Sequence, residues 1–86
     1  MPKYRIIGVC VNNRKTSSLK LQEILSKHGH FIKARLGLHE TKLEDEFGLV
    51  ILHVEDNENA CKELINEINS TQGLLAKELV LDTDEI

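Results

Sequence analysis

Cys10 and His53 are the side chains of this 86-residue chain best suited to holding a metal. A thiolate and an imidazole are good ligands for zinc, nickel or copper. Both fall in strongly apolar runs, and reading those runs as neighbouring parallel strands puts the two residues close together on one sheet face. Two ligands make half a site, which a dimer would double to four, although Lys33 on the adjoining strand would disfavour a cation. The plainer reading makes Cys10 a small apolar filler and His53 an interface hydrogen bonder. His28-Gly29-His30 places two more imidazoles around a helix terminus, where a histidine interacts favourably with the helix dipole. Asn12-Asn13-Arg14-Lys15 precedes a helix, and its backbone N–H groups with Arg14 and Lys15 could hold a carboxylate. The same four residues equally make a solvated turn. Arg35 is either a bidentate anion clamp or a residue whose stem covers sheet surface. Ser17 and Ser18 have no partner base and read as caps.

The elements that must position these residues follow from periodicity. Phe47–Asp56 (FGLVILHVED) is the most apolar stretch, with Leu49 and Ile51 on one parity and Val50, Leu52 and Val54 on the other. A strand apolar on both faces belongs in the middle of a sheet. Tyr4–Asn12 has the same character. His30–His39 and Leu74–Asp82 alternate more cleanly and suit edges. Between the first two strands, Leu21, Ile24, Leu25 and His28 form a helical stripe, with Thr16, Ser17 or Ser18 as cap and Gly29 as left-handed terminator. Cys61, Leu64, Ile65 and Ile68 make a second stripe, capped by Asp56, Asn57 or Asn59 and ended by Gly73. Glu40–Glu46 is an acidic connection, and Thr83–Ile86 reads as a frayed tail.

Strand–helix–strand repeated twice predicts a single α+β domain over residues 1–86. It is a ferredoxin-like βαββαβ sandwich, with a four-stranded antiparallel sheet in the order 4-1-3-2 and two helices on one face. Net charge is −3 without a basic block, which excludes direct nucleic-acid binding. No apolar run approaches the roughly 20 residues that span a bilayer. The two cysteines form no C-x-x-C pair and no leader precedes them, so the reading is cytoplasmic. Copper-carrier loops, glycine-rich acylphosphatase loops, stacking aromatics for RNA and clustered cysteines for iron–sulfur centres are all missing. Nothing points to an enzyme, and no cofactor is specified.

The helices cover only one sheet face. The parities place Ile7, Val9, Val11, Ile32, Ala34, Leu36, Val50, Leu52, Val54, Leu75, Leu79 and Leu81 beneath them. Ile6, Gly8, Cys10, Lys33, Arg35, Leu49, Ile51, His53, Ala76 and Val80 are left on the other side. Exposed apolar area costs about 25 cal/mol per Å², and large patches of it mark interfaces. The expectation is a homo-oligomer, dimer or tetramer, joined through Ile6, Leu49, Ile51, Ala76 and Val80.

The element order, with Arg35-Leu36-Gly37-Leu38 ending the second strand, resembles the ACT-like family of iron-only hydrogenase system regulators. That family carries Arg-Met-Gly-Ile-Pro at this place; here Leu36 replaces Met and Leu38-His39 replaces Ile-Pro. The resemblance implies a ferredoxin-like, oligomeric regulatory domain related to ACT domains and to the effector domain of nickel-responsive repressors. It also implies that the Asn12–Lys15 loop, with a partner's interface, holds a small effector; with Arg35 added from the residue reading above, the expected ligand-binding residues are Asn12, Asn13, Arg14 and Arg35. The expected function is non-catalytic regulation or ligand sensing, passed to a protein partner in hydrogenase-related or transcriptional control. The alternatives are a metal sensor using Cys10 and His53 across a dimer, or a purely structural assembly domain.

Overall fold

From Arg5 to Val11 every second side chain is buried, and the residues between are half-buried. That two-residue period marks a strand covered on one side only. The computed structural model describes residues 2–38 and 47–86, and of Arg14 the backbone alone. Its elements are β1 (Lys3–Asn12), α1 (Arg14–Lys27), β2 (Ile32–Leu38), β3 (Phe47–Val54), α2 (Glu58–Asn69) and β4 (Leu74–Asp82). Short 3-10 turns occupy Gly29–Phe31 and Thr83–Glu85.

The sheet has the order β2-β3-β1-β4, and every neighbouring pair is antiparallel. This is the ferredoxin-like βαββαβ arrangement expected from the sequence, with its two doubly apolar strands in the middle. The core lies between sheet and helices. Ile7, Val9, Val11, Leu52 and Val54 meet Leu21, Ile24 and Leu25 of α1 and Cys61, Leu64 and Ile68 of α2. Phe31 also enters this core, because the 3-10 turn before β2 directs it inward rather than leaving it on an edge strand.

Several local expectations are corrected. Helix α1 starts at Arg14, ahead of Thr16, Ser17 and Ser18. Its N-cap is Asn13 in the left-handed region at φ 55°, with no side-chain cap. Asparagine tolerates that conformation better than most residues, and the Asn13 carbonyl accepts from the Thr16 and Ser17 N–H groups. Ser17 is buried inside the first turns of the helix. Gly29 is not the left-handed terminator, since the last turn of α1 closes at His28 with φ −108°. Gly73 does adopt a positive φ of 89°, in the turn that leads from α2 into β4. A Cβ there would fall against Ser17 Oγ, so the two βα and αβ turns are packed together at a glycine. The Asn12 N–H donates to the Gly73 carbonyl at 2.7 Å in the same place. The Thr83–Glu85 turn is tied down rather than frayed, through Thr83 N–H and Oγ1 donating to the Pro2 carbonyl.

The largest corrections concern which way the edge strands face. In β2, Ile32 lies opposite Val54 but Ala34 lies opposite His53, so Lys33 is the extra residue of a β-bulge. A one-residue bulge reverses the parity of everything beyond it. Ala34 and Leu36 therefore leave the helix side, and Arg35 turns onto it. In β4, Ala76 pairs with Val9 and Val80 with Arg5, whereas Leu75, Leu79 and Leu81 pair with Cys10, Ile6 and Tyr4. Ala76 and Val80 thus lie on the helix side, and the three leucines lie on the open face. β4 is apolar on both parities, so hydrophobicity alone could not choose. Glu78 falls on the helix-side parity, where it stays exposed and still reaches Arg5.

Candidate functional site

Two features of the molecule are built for contact: the open sheet face, and a polar cluster that pins β1 and β4 to the start of α2. The cluster begins at Arg5, buried on the helix side of β1. Its Nε donates to Asp56 Oδ1 at 2.6 Å and its Nη1 to Glu78 Oε2 at 3.3 Å. The Cys61 thiol donates to the same Glu78 oxygen at 2.9 Å. The hydrogen bond to Asp56 raises the Arg5 pKa further, so the guanidinium is permanently charged. Burial, then the bond to Glu78, pushes the Cys61 thiol up to about 12. A thiol held protonated in this way is a poor nucleophile. The cluster is structural.

The open face is different in kind. By register it carries Tyr4, Ile6, Gly8 and Cys10 of β1, Phe47, Leu49, Ile51 and His53 of β3, Ala34, Leu36 and Leu38 of β2, and Leu75, Lys77, Leu79 and Leu81 of β4. Most of the exposed large apolar side chains of the described residues are here, with Leu36 57% and Leu79 56% exposed. Lys77 is the single Lys, Arg, Asp or Glu at these positions. A Cβ added to Gly8, near the centre, would meet nothing within 4 Å. The face is therefore more apolar than the sequence parities suggested, because the β2 bulge and the β4 reversal each exchanged polar or small residues for leucines.

Of the expected interface residues, Ile6, Leu49 and Ile51 lie on this face, while Ala76 and Val80 do not. Cys10 and His53 share the face but not a site. Cys10 sits opposite Leu49 and His53 opposite Ile6, so four residues, or about 14 Å at strand spacing, separate them along antiparallel strands. The parallel reading of β1 and β3 is overturned, and with it the paired ligands. A two-fold axis could set Cys10 of one copy beside His53 of another, but that makes two separate two-ligand sites rather than one of four. His53 instead lies beside Tyr4, ring centroids 6.0 Å apart. Among the described residues no three His, Cys, Asp or Glu side chains cluster as a metal site would require.

The four expected ligand-binding residues are also divided. Asn12, Asn13 and Arg14 mark the start of α1, and Asn12 lies opposite Phe47 at the rim of the open face. Arg35 lies opposite Leu52, which lies opposite Ile7. It is thus about 17 Å down the sheet from Asn12 and two strands across. Arg35 lines two open grooves against α1 instead, one with Ser26, Gly29 and Lys33, the other with Gln22 and Gly37. His28 is absorbed elsewhere: its Nε2 meets Glu67 Oε1 at 2.9 Å while Lys27 Nζ donates to Glu67 Oε2 at 2.6 Å, which clamps α1 to α2. Sequence reasoning missed a further contact on β4. Asn69 Nδ2 donates to the Ala76 carbonyl at 3.1 Å, and its Oδ1 accepts from the Ala76 N–H at 2.7 Å. One side-chain amide so occupies the backbone groups that the sheet edge would otherwise offer to another strand.

Residues 3–77 match the model of the TM1266-like family, whose members carry the provisional description of iron-only hydrogenase system regulator. The chain belongs to that family. The solved structure of protein TM1266 from Thermotoga maritima superposes with a TM-score of 0.81 at 17% identity, covering 94% of this chain and all of that one (100%). The ACT domain of GTP pyrophosphokinase from Chlorobium tepidum gives a TM-score of 0.70 at 14% identity, covering 88% and 96%. The apo form of CPII, a nitrogen regulatory PII-like protein from Thiomonas intermedia K12, gives 0.67 at 8% identity, covering 93% and 90%. At these identities the likeness is one of fold. No curated protein matches the sequence. In this TM1266-like chain the Arg35-Leu36-Gly37-Leu38 segment is the part of β2 that follows the bulge, so its alternation assigns Arg35 and Gly37 to α1 and Leu36 and Leu38 to the open face. No helix among the described residues is long and apolar enough to cross a membrane.

Proposed function

We propose that this chain is a non-catalytic regulatory module that works as a homo-oligomer, two copies joined through the open sheet face. A small effector bound at their boundary sets the state that a protein partner reads. The observation that carries this is the face itself. Four strands about 4.8 Å apart, over some 25 Å of common length, present about 500 Å² per copy, or about 1,000 Å² between two. That is the lower bound for a specific protein–protein contact, and its composition is that of a core rather than a surface. A sheet face turned on itself by a two-fold axis is self-complementary, which closes the assembly as a dimer or a pair of dimers.

Membership of a regulator family and the likeness to an ACT domain and a PII-like protein support regulation over catalysis. A CPII structure bound to ADP, AMP and bicarbonate holds small anions on a comparable frame, which supports the reading. Asn12 at the rim of the face, with the start of α1 behind it, is where a boundary effector would touch this chain. A cytoplasmic location accords with two free cysteines, one of them buried.

Native mass spectrometry of untagged protein taken from its host tests the reading. A dimer or tetramer with extra mass supports both the covered face and the effector. A bare oligomer favours a structural assembly domain, and a clean monomer overturns the proposal.

A further inference from the structure

The Lys33 bulge does more than complete the open face. It carries Arg35 to the opposite side of the sheet, at its outer edge, where the chain runs beside α1. Bulges commonly re-aim a side chain at a functional site. Arg35 stands between two open grooves, of about 320 and 240 Å³, that share Leu25 as a wall. The described residues lining them supply two cations, Arg35 and Lys33, and no carboxylate, in a chain with 14 acidic and 11 basic residues. Neither cation enters an ion pair with another described residue, whereas Arg5 and Lys27 do. Gly37 leaves the strand backbone open, since nothing lies within 4 Å of where its Cβ would be. β2 is an edge strand, so part of its backbone N–H row faces outward beside the guanidinium.

We infer that the α1–β2 groove is an anion-binding site in which Arg35 grips the carboxylate or phosphate of a small molecule. The planar guanidinium offers the two parallel donors that either group accepts. Lys33 adds a second charge across the bulge. Leu21, Leu25 and Val50 give the rest of the molecule an apolar wall, which favours a small acid with a short aliphatic part over a bare ion. The site is complete within one chain and lies on the helix side of the sheet. It is separate from the boundary between copies at Asn12 and does not rest on the preceding reading.

The test is an NMR titration of uniformly labelled protein with inorganic phosphate, acetate and isovalerate in turn. Expected are saturable shifts of the Arg35 Nε–H and the Gly37 N–H, with isovalerate binding more tightly than acetate. Arg35→Gln should weaken binding roughly tenfold or more, the loss of one charge-assisted bond pair, and Arg35→Lys less. If phosphate binds and the carboxylates do not, the anion is a phosphate and the site stands. Unchanged affinity in Arg35→Gln, no saturable shift with any of the three, or shifts centred on Asn13–Lys15 would overturn it. Sedimentation of the same samples separates the two claims. An oligomer that ignores all three anions refutes the groove alone, and a monomer that binds them through Arg35 refutes the assembly alone.

Discussion

Arg5 and Gly73 show how much of this fold rests on single positions. Arg5 ties three elements by its bonds to Asp56 and Glu78, and Glu78 in turn holds the Cys61 thiol. The thiol is raised to about 12 in the folded chain, well above its unfolded value near 8.5. Its protonated form therefore stabilises fully below about pH 8.5, and that contribution is lost as pH rises toward 12. Cys61→Ala should flatten the alkaline fall in stability between those limits, read by urea unfolding at a series of pH values. At Gly73, alanine meets both a left-handed backbone and Ser17 Oγ. Gly73→Ala should cost about 2 kcal/mol or more, and Ser17→Ala in the same chain should recover part of it, which a thermal or urea double-mutant cycle measures. Gly73 reads from the sequence as the end of the second helix, but α2 ends at Asn69 and Gly73 instead turns the chain into β4; its partner Ser17, 56 residues away in the chain, was not legible at all. Nothing local marks a serine that looks like a cap as the floor beneath a distant turn.

At the scale of elements, legibility followed the strength of the pattern. β1 and β3 were assigned to the right faces because their apolar residues bury a continuous core on one parity. β2 was not, since a bulge leaves no sign in composition; Ile32 was placed correctly and every residue after Lys33 was inverted. β4 failed for another reason: Leu75, Leu79 and Leu81 look like core residues, but both parities of the strand are apolar and its register places these three on the open face. The Cys10–His53 pairing failed through direction, because the β2–β3 reversal makes β1 and β3 antiparallel. The helices pair through Glu67, which no periodicity suggests. Lys27 first, then His28, hold the Glu67 carboxyl below the usual range. A carboxylate with a lowered folded pKa stabilises above its unfolded pKa near 4.3, and that support disappears as pH falls through the folded value. Glu67→Gln should therefore remove part of the acid-induced loss of stability below about pH 4.5. Circular dichroism melts of both proteins across that range check this.

The whole molecule is asymmetric in a way that suggests assembly. One side of its sheet is sealed by two helices; the other exposes leucines on β2, β3 and β4, with Ile6 and Gly8 on β1. Asn69 occupies the outward backbone groups of β4 at Ala76. The element order and the existence of an uncovered face could be read from the sequence, since both depend on counting apolar parities. The extent of the face could not, because it depends on the β2 bulge and on the register of β4. Ile51 lies near the middle, opposite Gly8 and Leu36, and a carboxylate there would be stranded in any face-to-face contact while remaining hydrated in a lone chain. Sedimentation equilibrium of the natural chain and Ile51→Asp, with circular dichroism to confirm that both are folded, is the most direct measurement. The account predicts an oligomer of the natural chain and a folded monomer of the variant. A natural chain that sediments as a monomer, or an Ile51→Asp chain that assembles as well as its parent, would contradict it.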